Sequence, residues 1–125
     1  MSDNPQNLSD LLEHLQSQHG LQLAAVVGMD GLLVDSASDG NVDAEMLAAV
    51  AAPGLLMMSE LAKELDEDMA RLTTMEYERH IVTLMPLNDD ALLVAVAEAG
   101  AMNLGQLRIV LRRSADKFRA AVAQL

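Results

Sequence analysis

At 125 residues, 51% of them apolar, the chain has the size and material for a single domain with a buried core. It contains no cysteine, which excludes disulfides, thiolate metal sites and cysteine nucleophiles and suits a reducing compartment. Its formal charge of −11 at pH 7 opposes nucleic-acid binding, because phosphates would meet long-range repulsion.

Residues 1–7 are expected to form a flexible tail in front of one domain that fills the rest of the chain. Met1 to Pro5 is polar and carries an acid, unlike the basic start and apolar run of a secretory signal, so a cytoplasmic location is expected. Gly, Pro or charge breaks the longest apolar stretches before the roughly 18 residues that a membrane span needs. No membrane insertion is therefore expected.

Leu8, Leu11, Leu12 and Leu15 recur at helical spacing, with Asn7 or Ser9 as cap and Gly20 as stop, so residues 8–19 read as a helix. Two apolar runs follow, Leu21–Val27 and Leu32–Ala37, separated by Met29-Asp30-Gly31. Asp-Gly between such runs signals a hairpin, because Gly accepts the positive φ of the turn. The near-continuous apolar character predicts strands covered on both faces. Asp43 caps a long helical stretch to about Leu65. Its broad apolar face includes Ala44, Met46, Leu47, Val50, Leu55, Met58, Leu61 and Leu65. The line Leu47–Val50–Met58–Leu61–Leu65 is assigned to the sheet, and Met57 lies off it. Pro53-Gly54 falls inside this stretch, and because the periodicity continues on both sides one kinked helix is expected.

Three strands are expected next, about Ala70–Tyr77, Ile81–Leu87 and Ala91–Ala97, joined by Glu78-Arg79-His80 and Asn88-Asp89-Asp90. Connections this short make an antiparallel meander. The last helix starts near Leu104 and carries the stripe Leu104, Leu107, Val110, Leu111, Ala115, Phe118 and Val122. Gly105 is expected to let it approach the sheet closely. The element order is α-β-β-α-β-β-β-α, an α/β (α+β) domain with a five-stranded antiparallel sheet between three helices.

Four segments resemble the Roadblock/LC7 family. They are Ala24–Val34 with its Asp-Gly turn, the Ala/Leu-rich helix Met46–Leu65, the pair Ile81–Leu87 and Leu92–Val96, and Leu104–Arg108 leading into Leu111–Ala115. The likeness covers roughly residues 8–123. It implies a profilin-like sheet of order 2-1-5-4-3, with the middle helix on one face and the terminal helices on the other. It also implies a homodimer or heterodimer in which the middle helices pack together and the third strands pair. The contacts would come from Met46, Ala49, Pro53 and Met57 on the helix and Leu72, Thr73, Thr74 and Met75 on the strand. The family's bacterial members, which this chain resembles, are linked to small Ras-like GTPases of the gliding-motility and polarity type. Some of them accelerate GTP hydrolysis without contributing an arginine finger. The expected partners are thus a second copy and a Ras-like GTPase, the latter meeting a surface flanked by Asp43, Glu45, Glu60 and Glu64.

Little in the sequence points to chemistry of its own. His14, His19 and His80 lack partners at metal-ligand spacing, and Asp66-Glu67-Asp68 lacks the loop and Gly of a calcium motif. Gly28 and Gly31 do not make a glycine-rich phosphate loop, and no serine sits in a nucleophile elbow. No catalytic residue, metal or cofactor is assigned, and any effect on hydrolysis would act by positioning a partner's residues. Arg71, Arg79, Arg108, Arg112 and Arg113 are the arginines weighed as fingers, and none is assigned. Residues 104–125 hold five bases and one acid, net +4, which leaves −15 elsewhere. That segment reads as a solvated helix face or as a docking face for an acidic partner. Nine methionines against one Tyr, one Phe and no Trp suit either an adaptable contact surface or gap-filling in the core. The alternative function is a small-molecule sensor of the GAF or PAS kind, which needs an interior pocket rimmed by polar groups.

Overall fold

The structure, a computed structural model, describes residues 7–125. The tail expected over residues 1–7 thus lies outside the described residues, apart from Asn7, which is the helix cap. Its Oδ1 accepts the Asp10 backbone N–H at 2.8 Å and starts helix α1, Leu8–His19. The helix stops where expected, at Gly20, whose φ of 62° costs a glycine no Cβ clash.

Strands β1 (Leu23–Gly28) and β2 (Leu33–Ser38) form the expected antiparallel hairpin. Gly31 holds φ at +89°, and the Asp30 carboxylate accepts the Leu32 N–H at 3.0 Å, so both residues of the Asp-Gly pair shape the turn. Helix α2 (Ala44–Glu64) follows, then β3 (Thr73–Glu76), β4 (His80–Pro86), β5 (Ala91–Glu98) and helix α3 (Leu104–Val122). The five strands form one antiparallel sheet in the order β2-β1-β5-β4-β3. The element order is the one read from the sequence, and the strand order is the one the Roadblock/LC7 resemblance implies. Strand β3 has 4 residues and is shorter than the expected Ala70–Tyr77, so Leu72 stands outside it.

Alternation along the central strands divides the core in two. Ala24, Val26, Ile81, Met85, Leu93, Ala95 and Ala97 face α1 and α3. Leu23, Ala25, Val27, Leu84, Leu92, Val94 and Val96 face α2. Cover on both faces therefore holds for β1 and β5, but β2 is an edge strand with Val34 exposed. A register shift explains that exposure. Val26 pairs with Asp35 but Val27 pairs with Leu33, so Val34 is the extra residue of a bulge. The bulge lets Leu33 pack on the α2 side and Ala37 on the opposite side, although the two are an even number of positions apart.

Helix α3 begins with a capping box. Asn103 Oδ1 accepts the Gln106 N–H at 2.8 Å, and Gln106 Oε1 accepts the Asn103 N–H at 3.4 Å. Its buried stripe is Leu107, Leu111, Ala115, Phe118 and Val122, as expected. Gly105 does not lie against the sheet. It is exposed, and a Cβ there would meet only Asn103 Oδ1, at 3.4 Å.

One polar group in the sheet is buried without a partner. Thr83 is 1% exposed, and its hydroxyl has no hydrogen-bond partner among the described residues. Thr83→Val keeps the β-branched shape and removes the unpaired group. The expected gain is about 1 kcal/mol, read as a higher urea midpoint at unchanged slope. A loss of stability would mean that the hydroxyl is paired in solution.

Candidate interaction surface

Helix α2 runs unbroken from Ala44 to Glu64 through Pro53. Pro53 offers no N–H to the Ala49 carbonyl. Both residues are on the exposed side, where water can take that carbonyl's bond. Asp43 caps the helix, its Oδ1 accepting from Glu45 N at 3.1 Å and Met46 N at 3.2 Å.

The helix rests on the sheet through Ala48, Ala51, Ala52, Leu55 and Ala62. Four of these five are alanines, so the backbone can lie close over β1 and β2. This corrects the expected facing. Of the line Leu47–Val50–Met58–Leu61–Leu65, Leu47 alone is partly buried, while Val50, Met58, Leu61 and Leu65 are all exposed. Leu55, grouped with them in the sequence, is 0% exposed. Met46, Val50, Pro53, Met57 and Leu61 recur at helical spacing on the opposite side and form an apolar stripe open to solvent. Ala49 is exposed beside it.

Between the flank of α2 and the outer strands lies a groove of about 650 Å³. Leu47, Val50 and Met57 form its helix wall, and Met75, Val82 and Leu84 form its sheet wall. The pairings Thr73 with Leu84 and Met75 with Val82 place all four side chains on the α2 face of the sheet. Strand β3 pairs only with β4, so its other edge is free. The sequence-predicted contact set thus divides. Met46, Ala49, Pro53 and Met57 lie together on the open face of α2. Thr73 and Met75 line the groove. Thr74 is exposed on the other face of the sheet, and Leu72 packs against the α1–α3 core. Val82, Leu84 and Tyr77 line the groove too and were not in the expected set. Alternation along β4 was the signal that could have placed Val82 and Leu84 there.

Asp43, Glu45, Glu60 and Glu64 are exposed but do not form one patch. Asp43 and Glu45 mark the first turn of α2, while Glu60 and Glu64 mark its last turns, roughly 22 Å further along at 1.5 Å per residue. Glu60 pairs with Lys63 at 2.8 Å, an exposed contact of little energy. His14 is exposed, and Asp66-Glu67-Asp68 is an exposed helix end with Asp66 at φ 57°. Among the described residues no group of three or more His, Asp and Glu is placed to hold a metal ion.

Because Pro53-Gly54 does not interrupt α2, the helix is, by length and composition, long and apolar enough to cross a membrane, with mean hydropathy 1.4. This departs from the expectation that every apolar stretch is too short. The helix is two-sided, however, with one side seated on the sheet and the other open.

A sheet backed by helices, with an uncovered apolar helix face and an open groove, defines an interaction module. The sequence and fold comparisons agree on which one. Residues 8–97 match the Roadblock/LC7 domain, and the chain belongs to that family. An uncharacterized protein of Methanocaldococcus jannaschii, MJ0310, is 36% identical over 110 residues, covering 88% of this chain and 95% of that protein. The fold is similar to that of MglB from Myxococcus xanthus, with TM-score 0.84 and 20% identity over 94% of this chain and 95% of that one. MglC from Myxococcus xanthus aligns with TM-score 0.61 and 29% identity over 88% of this chain and 94% of that one. The sequence relative is archaeal, so the likeness is not confined to the bacterial members that the sequence resembles. The chain's domain family is thus Roadblock/LC7 rather than GAF or PAS.

Proposed function

We propose that two copies of this chain join through the open face of α2 and the free edge of β3, and that the dimer binds and regulates a small Ras-like GTPase in the cytoplasm. The observation that carries the reading is the groove beside α2. It leaves Met57, Val50 and the outer sheet wall without cover, and a second α2 packed about a two-fold axis would cover them. The free strand edge beside it offers main-chain pairing, and Thr73-Thr74-Met75 carries no charge that would block it, Glu76 standing at the end of the strand. The GTPase partner rests on the family's link to such proteins and on the likeness to MglB and MglC. The acidic ends of α2 favour a partner with basic patches, an attraction that weakens as salt rises.

The test is titration of the purified protein with a Ras-like GTPase from the same genome, loaded with GDP or with a non-hydrolysable GTP analogue. Binding at least about tenfold tighter to one nucleotide state is expected, a difference of about 1.4 kcal/mol. Equal affinity for both states removes regulation through that switch, since a ligand without differential affinity shifts no equilibrium. No binding to any such GTPase removes the partner reading altogether.

A further inference from the structure

On the opposite face of the sheet, three arginines from two distant parts of the chain surround a second cleft. Arg71 comes from the connection between α2 and β3, and Arg112 and Arg119 come from α3. The cleft has a volume of about 520 Å³, within the range of about 300–1,000 Å³ usual for small-molecule sites. Arg112 and Arg119 are seven residues apart, two helical turns, and so share a face. Ala115 lies between them on that face, and its small side chain leaves the gap open. Leu72, Met85 and Ala115 make an apolar floor continuous with the core.

We propose that this cleft binds a phosphate monoester carried on a small apolar body. The charge balance argues for that ligand. The lining holds three guanidinium groups and one carboxylate, Asp68, net +2. A phosphate monoester carries about −1.5 to −2 at neutral pH, whereas a carboxylate carries half of that. Guanidinium forks match phosphate oxygens in pairs, which a lysine does not do. Arg119 is already held in place, its Nε donating to the Leu87 carbonyl at 3.2 Å. Its contact with Asp116, at 3.3 Å, is to a carboxylate that is 99% exposed and is easily given up. Arg71 and Arg112 have no ion-pair partner among the described residues. A long polyanion is disfavoured by the −11 of the whole chain, whereas one phosphate group meets only the local field. The arginines come from two segments brought together by the fold, so the absence of a glycine-rich loop says nothing against it.

The probes are hexyl phosphate, inorganic phosphate and hexanol, titrated calorimetrically into the full chain. Hexyl phosphate is expected to saturate one site per chain, more tightly than either of the other two, and to weaken with added salt. Arg71→Ala and Arg112→Ala should each lower its affinity about tenfold or more, with Arg112→Lys in between. Both arginines are exposed, so circular dichroism should show an unchanged fold. Co-sedimentation with phosphatidylcholine vesicles, with and without phosphatidic acid, separates the two sources of the group. Binding to phosphatidic acid that the same substitutions abolish assigns the site to a lipid headgroup; binding to hexyl phosphate alone assigns it to a soluble phosphate ester. Hexyl phosphate that fails to saturate at millimolar concentration, or that binds the doubly substituted chain equally well, overturns the proposal.

Discussion

Met57→Asp should give a chain that is folded but no longer self-associates. Met57 is 71% exposed in the single chain, so a carboxylate there stays in water and the fold should lose no more than about 0.5 kcal/mol. In the proposed dimer the same position faces the partner's α2 across the groove. An unpaired charge buried there costs several kcal/mol. At 1.4 kcal/mol per factor of ten, the dissociation constant should rise by about a hundredfold or more. Sedimentation velocity across a concentration series reads the association, and a urea melt of the variant reads the fold. Leu55→Asp is the contrast. Leu55 is 0% exposed on the sheet side of the same helix, and a charge there should unfold the domain. Unfolding by Met57→Asp, or a parent chain that is monomeric at tens of micromolar, would remove the interface argued for α2.

The order of elements was readable because each switch of hydrophobic period coincides with a capping or turn residue. Asn7, Gly20, Gly31, Asp43, Asn88 and Asn103 all sit where a helix or hairpin begins or ends. The facing of α2 was not readable, and the reason is physical. An apolar scale ranks Leu, Val and Met above Ala, so the larger residues were assigned to the core. Here the alanines face the sheet, because a close backbone approach needs small side chains, and the larger residues face outward. A helix apolar on all sides carries no single-chain signal for which side is which. The bulge at Val34 was equally hidden, since a period-two pattern assumes an unbroken register. Of the candidate site, the helix residues Met46, Ala49, Pro53 and Met57 came from the family resemblance and not from spacing, and the structure places them together on the exposed side of α2. The sheet wall needed the β3–β4 register, and the arginine cleft needed the tertiary fold, because Arg71 and Arg112 are too far apart in sequence for any local pattern to join them.

Phe118→Ala should be the most destabilising single truncation in α3. Phe118 is the only phenylalanine and is 1% exposed within the core shared by α1, α3 and the sheet. With almost no aromatic residues elsewhere, no neighbouring ring can swing in to refill the space. Truncating a buried phenylalanine costs about 3–5 kcal/mol, from lost transfer energy and the cavity left behind. A domain of this kind holds only about 5–15 kcal/mol in total, so about a fifth or more of its stability is at stake. In urea, with a slope of about 1–3 kcal/mol/M, the midpoint should fall by one to several molar. Self-association would add a concentration-dependent share to the parent's stability, so the comparison is cleanest on the Met57→Asp background. Phe118→Leu refills most of the volume and should recover most of the loss. A cost below about 1 kcal/mol for Phe118→Ala would mean that α3 is only loosely seated. Arg112 and Arg119 would then lack the rigid support that the phosphate cleft requires.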